Sequence, residues 1–174
     1  QYATNEKWIN LIKKELKFNP KLIDITAWYT CEDKNLDYEF NTKYDAQIWH
    51  RDVDKIRDLK IFIYLSDVDT LDNGPFEVIP NSHTISFNKI TYENKNNFRI
   101  NDDKIKNKKI YSKYSFLGHM GSNFIVDTRC LHRGKIVKKK FRQIIELYFS
   151  NSSFGKHEYF NEFSRPKLNS SWDS

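Results

Sequence analysis

The chain has 174 residues, is 39% hydrophobic and 16% aromatic, and carries a net charge of +6 with two cysteines. That length fits one domain with a substantial core, and the composition excludes a disordered chain. No apolar run reaches the length of a membrane span and no signal-peptide pattern opens the sequence. Cys31 and Cys130 make no disulfide framework, so a reducing, cytosolic setting is expected.

The positive charge admits an anionic partner. The basic runs, densest at Lys138-Lys139-Lys140, fall in loop-like sequence and form no nucleic-acid motif. Solvated surface lysines are the plainer reading, and no nucleic-acid partner is expected. The chain begins at Gln1 rather than Met, so upstream residues are expected to be missing or trimmed.

Asn5 to Phe18 reads as an amphipathic helix, with Trp8, Leu11, Ile12 and Leu16 at helical spacing, Thr4 or Asn5 as the cap and Asn19-Pro20 as the stop. It is expected to pack on the outside of a sheet. Leu22 to Thr30 alternates and is β-branched and aromatic, which predicts a strand. Cys31 to Thr42 reads as a loop, and Tyr44 to Trp49 as a short strand leading into His50. Val53 to Asp58 is charged and loop-like. Leu59 to Leu65 is almost continuously apolar, the pattern of a strand covered on both faces.

Asp67 to Asn73 predicts a polar turn, Phe76 to Ile79 a short strand and Pro80-Asn81-Ser82 a further turn. Thr84 to Ser115 is long, polar and rich in Lys and Asn. It reads either as a partly helical lid over one mouth of the fold or as a surface insertion without a role. Ser122 to Val126 and Phe141 to Phe149 are strands, and residues 151–174 form a polar tail. Many short strands with one clear helix predict an all-β sandwich or barrel. A jelly roll, the double-stranded β-helix of cupins, fits best. The organisation expected is one domain over 1–174, with a flanking helix in 1–20 and a core in 22–150.

Within that frame the segment Trp49-His50-Arg51-Asp52 matters most. Residues i and i+2 of an extended chain face the same side, so His50 and Asp52 can reach one ion while Arg51 points away. The later stretch Asp127-Thr128-Arg129-Cys130-Leu131-His132-Arg133-Gly134 supplies a second histidine. Two histidines and one carboxylate on one face of a metal leave the remaining positions open, as in non-haem iron(II) oxygenases. Cys130 shares the parity of His132, but a small buried filler is its ordinary role. Arg142 stands in the apolar run 141–149, where a buried guanidinium needs an anion.

Taken as a set, these residues resemble the phytanoyl-CoA dioxygenase family. The resemblance rests on Trp49-His50-Arg51-Asp52, Leu59 through Asp69, Asn73-Gly74-Pro75-Phe76, Pro80-Asn81-Ser82-His83, Asp127-Thr128, His132-Arg133-Gly134 and Arg142. It covers residues 22 to 150 in the right order. It implies a double-stranded β-helix oxygenase using Fe(II), 2-oxoglutarate and O2, with His50, Asp52 and His132 as catalytic metal ligands. Arg142 would bind the distal carboxylate of 2-oxoglutarate, on a strand running back antiparallel beside the histidine strand. Gly134 would leave room for the cosubstrate, and Gln47, Tyr64 and Lys60 are further candidates to hydrogen-bond it.

Related halogenases have Ala or Gly where this chain has Asp52, so the resemblance implies hydroxylation. It does not fix the substrate, an unidentified small molecule. Family members run longer at the N-terminus, which leaves part of the substrate cover unaccounted for. No motif encodes the oligomeric state. The alternatives are a cupin-type metalloenzyme that does not use 2-oxoglutarate, a jelly-roll binding module without catalysis and, more remotely, a zinc hydrolase lacking H-E-x-x-H.

Overall fold

A computed structural model describes residues 5–32, 45–52, 57–83, 99–100, 102, 105 and 112–151. Helix α1 (Glu6–Leu16) starts at Asn5, whose side chain accepts a hydrogen bond from the Lys7 backbone N–H at 3.0 Å. It ends at Lys17, which turns into the left-handed region. Seven strands follow: β1 (Lys21–Cys31), β2 (Asp58–Tyr64), β3 (Phe76–Val78), β4 (Tyr114–Phe116), β5 (Asn123–Val126), β6 (His132–Gly134) and β7 (Phe141–Ser150). They make two antiparallel sheets, one ordered β1-β7-β2-β5 and the other β4-β3-β6.

Alternation along β2 and β7 divides the core in two. Phe62, Tyr64 and Ile144 face the smaller sheet and meet Phe76, Val78, Phe124, Val126 and Cys130. Leu59, Ile61, Ile63, Leu147 and Phe149 face the other way, onto Ile12 and Leu16 of α1. The helix therefore does cover the outside of a sheet, and β2 is buried throughout, as its apolar run predicts. Leu11 departs from the expected face and is half exposed. At 3.6 residues per turn it lies about 100° from Ile12, off the stripe made by Trp8, Ile9, Ile12 and Leu16. Ile12→Ala should cost about 2–5 kcal/mol and Leu11→Ala within about 0.5 kcal/mol. Urea denaturation checks both, and equal costs would mean that the helix docks in a different rotation.

Three expectations need correction. The described part of the expected strand, 45–49, is not one: Asp45–Gln47 is a 3-10 turn, and Trp49 and His50 pair in isolated bridges to Ile100 and His132. Asp, Ala and Gln are weak strand formers, so local preference matches the turn. β7 does not lie beside β6 in one sheet. Residues 135–140 cross between the sheets, tied to the Asp72 carbonyl by the backbone N–H groups of Lys138 and Lys139, so Arg142 faces the histidine strand across the interior. Tyr114 and Ser115, placed in the long excursion, belong to β4.

Most of 84–111 lies outside the described residues, as do 33–44, 53–56 and 152–174, so the loop, lid and tail expectations made for them fall there too. Ile100 and Ile105 are described, and they pack with Trp49, Ile79 and Leu131. Among the described residues no helix is long and apolar enough to cross a membrane.

Candidate metal centre

The site begins where the segment carrying His50 meets β6, which carries His132. His50 and His132 pair directly: each backbone N–H donates to the other's carbonyl, at 3.0 and 2.9 Å. Their side chains therefore leave the same face of one narrow ladder, with ring centroids 4.3 Å apart. Asp52 follows by i+2 geometry, and its backbone N–H donates to the Thr128 carbonyl at 3.0 Å. Ligand atoms of His50, Asp52 and His132 all lie within 4.8 Å of one another. Asp52 Oδ1 is 3.8 Å from His50 Nε2, and Oδ2 is 3.6 Å from His132 Nε2.

Both imidazoles are oriented from behind. His50 Nδ1 lies 2.7 Å from the Ile48 carbonyl and His132 Nδ1 lies 3.0 Å from the Cys130 carbonyl. Because a carbonyl only accepts, each Nδ1 carries the proton and each Nε2 lone pair faces the shared point, the arrangement metal-binding histidines use. Phe76 lies flat against His132, with ring centroids 5.4 Å apart and 10° between planes.

Burial lowers the pKa of His132 to about 4, with the neighbouring His50 acting in the same direction, and burial also lowers that of His50. Burial works to raise the Asp52 pKa, but His132, Lys60 and His50 outweigh it and hold the carboxyl below its ordinary value. Two neutral imidazoles and one ionised carboxylate suit iron(II) without any proton having to leave first.

The depressed His132 value has a consequence for the metal-free protein. Between pH 6.5 and about 4 the unfolded chain binds a proton at His132 that the folded chain refuses. Stability is thus fully present above 6.5 and lost as pH falls through that window, by about 3 kcal/mol. Urea titrations of chelator-treated protein at pH 7 and pH 4.5 check this, and a flat profile would contradict it.

Arg142 is 7% exposed on the inner face of β7. Its guanidinium donates to the Gly74 carbonyl, more weakly to the Lys135 carbonyl at 3.4 Å, and to Thr30 Oγ1 at 3.4 Å. Among the described residues no acid pairs with it, and its Nε has no hydrogen-bond partner. Gly134, two residues beyond His132, makes this placement feasible: a Cβ there would sit 2.6 Å from Arg142 Nη2.

The other expected residues are placed as follows. Gln47 is half-buried at the end of the 3-10 turn. Tyr64 is fully buried; its hydroxyl donates to the Phe116 carbonyl and accepts from the Phe76 N–H, both at 2.9 Å, and burial pushes its pKa up to about 12. Lys60 is engaged by Asp52 at 2.7 Å and by Glu146 at 3.1 Å. Cys130 is a buried core residue, with its Sγ 3.1 Å from His83 Nδ1. Arg133, on the opposite face of β6 from the metal point, is buried and pairs with Glu77 at 2.7 Å and Asp102 at 2.8 Å while lying over the Trp49 ring. Arg51 donates to the Ser82 carbonyl. Sequence reasoning missed Glu146, although a carboxylate at the parity of Arg142 in an apolar strand was a usable signal.

No family model matches the sequence, and no curated protein sequence matches it. Solved structures do. EctD from S. alaskensis with 2-oxoglutarate and 5-hydroxyectoine superposes with a TM-score of 0.59 at 16% identity, over 87% of this chain and 51% of that one. SnoN, a non-heme alpha ketoglutarate dependent epimerase from nogalamycin biosynthesis, gives 0.57 at 13% identity, over 86% and 55%. HygX from Streptomyces hygroscopicus with iron bound gives 0.54 at 11% identity, over 87% and 66%. The chain has the jelly-roll fold. At these identities the likeness shows the fold alone. The chain spans between half and two thirds of the length of these three structures.

Proposed function

We propose that this chain is an Fe(II)- and 2-oxoglutarate-dependent oxygenase that hydroxylates a small organic substrate. The observation that carries the reading is the pairing of two features inside one sandwich. One is a convergent His50, Asp52, His132 donor set. The other is a buried arginine, Arg142, that has no acid among the described residues and an orphaned Nε. A buried guanidinium without a counterion is costly, and a dicarboxylate cosubstrate would relieve that cost.

The motif set resembling the phytanoyl-CoA dioxygenase family supports the same assignment, and so do neighbours of the same fold whose structures hold iron or 2-oxoglutarate. His50, Asp52 and His132 would hold the metal. Arg142 would take the distal carboxylate of 2-oxoglutarate through its planar fork, and Gly134 leaves that fork its space. Of the further candidates, Gln47 would be left to hydrogen-bond the cosubstrate, since the Tyr64 hydroxyl and the Lys60 ammonium already have partners.

Phe62, Phe76 and Phe124 wall the interior with aromatic surface. When bound, iron with 2-oxoglutarate and O2 supplies the oxidation: O2 is reduced, 2-oxoglutarate leaves as succinate and CO2, and a substrate C–H becomes C–OH. Asp52 at the carboxylate position favours hydroxylation over halogenation, since no position is vacated for a halide.

Anaerobic titration of the purified protein with Fe(II) and then 2-oxoglutarate tests the reading. A visible metal-to-ligand charge-transfer band is expected. Iron binding without the band would favour a cupin-type metalloenzyme that does not use 2-oxoglutarate. Folded protein that binds neither would make the chain a binding module.

A further inference from the structure

Each histidine of the site is oriented by a backbone carbonyl, through Nδ1. Among the described residues no backbone group locks the Asp52 carboxylate in this way. It lies just past the bridged residue His50, outside any strand, and its backbone N–H donates to the Thr128 carbonyl. The group that touches its carboxylate is Lys60, whose Nζ donates to Oδ2 at 2.7 Å. Lys60 is 8% exposed, on the inward row of β2. It is held from the far side by Glu146, which is 7% exposed on the inward row of β7, with Nζ to Oε1 at 3.1 Å. The Tyr148 ring lies under the ammonium at 5.0 Å, and the Tyr148 hydroxyl is itself fixed by donation to Asp58 at 3.0 Å.

We infer that Lys60, tethered by Glu146, is the positioning residue for the Asp52 ligand. The inference rests on the metal site proposed above. An ionised carboxylate offers about four lone-pair directions. Lys60 occupies one on Oδ2 and so fixes the carboxylate plane, leaving the edge that faces His50 Nε2 and His132 Nε2 for an ion. All three ligands then carry one orienting hydrogen bond each, from Ile48, Cys130 and Lys60.

The charges are also consistent. Asp52 and Glu146 contribute two negative charges and Lys60 one positive. One unit remains to meet a divalent cation, and each of these three charges has an opposite charge within hydrogen-bond reach. Glu146 is needed because a lysine bound only to Asp52 would compete with the metal for the same carboxylate. Shared between two acids, it can release its hold on Asp52 by a fraction of an ångström and stay compensated.

Simple electrostatics argues the opposite sign. A cation beside a metal site repels the metal, so on that ground removing Lys60 should tighten binding. The two effects are separable with Co(II), which binds without oxidative chemistry and reports its ligand geometry in its visible spectrum. Lys60→Met/Glu146→Gln removes both charges at once and leaves the net charge of the site unchanged. Such a neutral replacement of a buried pair is often tolerated by the fold. We expect metal-free melting close to wild type, Co(II) affinity weaker by about ten- to a hundredfold, and an altered Co(II) spectrum.

Lys60→Met alone provides a second reading. Positioning predicts weaker Co(II) binding, and repulsion predicts tighter binding. A double variant with wild-type affinity and spectrum, or a single variant that binds more tightly, would overturn the inference while leaving the metal site intact. A wild-type protein that binds no Co(II) would overturn the site assignment, and this inference with it.

Discussion

Arg142→Met should shift the 2-oxoglutarate titration of the charge-transfer band to at least about thirtyfold higher concentration while leaving Fe(II) binding within about twofold of wild type. Arg142 is walled into the interior, touching backbone carbonyls of Gly74 and Lys135 and the hydroxyl of Thr30. None of these is a ligand of the metal point, so the metal should be indifferent to the change. The cosubstrate should not be. Removing one member of a buried, hydrogen-bonded charge pair costs about 2–5 kcal/mol, and each 1.4 kcal/mol is about tenfold in affinity. A loss of at least about thirtyfold in apparent 2-oxoglutarate affinity is therefore expected.

The change should cost the fold about 1–3 kcal/mol for a buried carbonyl that loses its donor at Gly74 or Lys135, offset in part by removal of a buried cation whose Nε has no partner. Gly134→Ala is a useful companion. Its new methyl would press on Arg142 Nη2, so it should weaken 2-oxoglutarate and spare the metal, with the arginine still present. An unshifted titration in Arg142→Met protein would remove the cosubstrate from this site.

His132→Ala should have the larger effect on the metal itself. His132 is 4% exposed, oriented through Nδ1 and stacked on Phe76, and it supplies the most enclosed of the three donors. Its loss should exceed the roughly ten- to hundredfold that losing a ligand's hydrogen-bond partner costs. Fe(II) or Co(II) titration should give no saturable site at micromolar protein. The same variant should also reduce the pH dependence of metal-free stability between 6.5 and 4, because the group that contributes most to it is gone while His50 remains. One substitution thus predicts two unlike signals, a lost metal and a reduced acid sensitivity. Retention of either would separate His132 from the role given to it.

Much of the site was legible because its spacing is local. His50 and Asp52 share a face by alternation alone, and His132 and Gly134 repeat the pattern. The strands β2 and β7 announced themselves as apolar runs, and the burial of β2 on both faces followed from the same signal. The illegible parts depend on what another segment does.

Arg142 was expected beside the histidine strand, since ten residues suffice for a hairpin. It lies in the opposite sheet because 135–140 anchors to Asp72 and crosses over. Leu11 fits a helical stripe on paper, yet the sheet touches only the narrower face around Ile12 and Leu16. Glu146 looks like a lapse in an apolar strand until Lys60, on the neighbouring strand, is seen to face the same interior. Parity says which way a side chain points, and only the sheet order says what it meets.

The direct pairing of His50 with His132 joins residues about eighty positions apart in the sequence. Closing a loop of that size is costly once, and doubling it adds only about 0.6 kcal/mol. The chain between the two histidines can therefore lengthen or shorten at little thermodynamic expense, provided that its re-entry points hold. Those points are visible: Ile79 donates to Leu131, Ile100 donates to Trp49, and Val68 and Gly118 exchange backbone bonds. The stretches between these re-entry points, and not Asp52 or the core strands β2, β3 and β5, are thus the parts that can be rewritten over evolutionary time while the candidate metal face stays fixed. That is a route by which one catalytic frame could acquire a succession of different substrates.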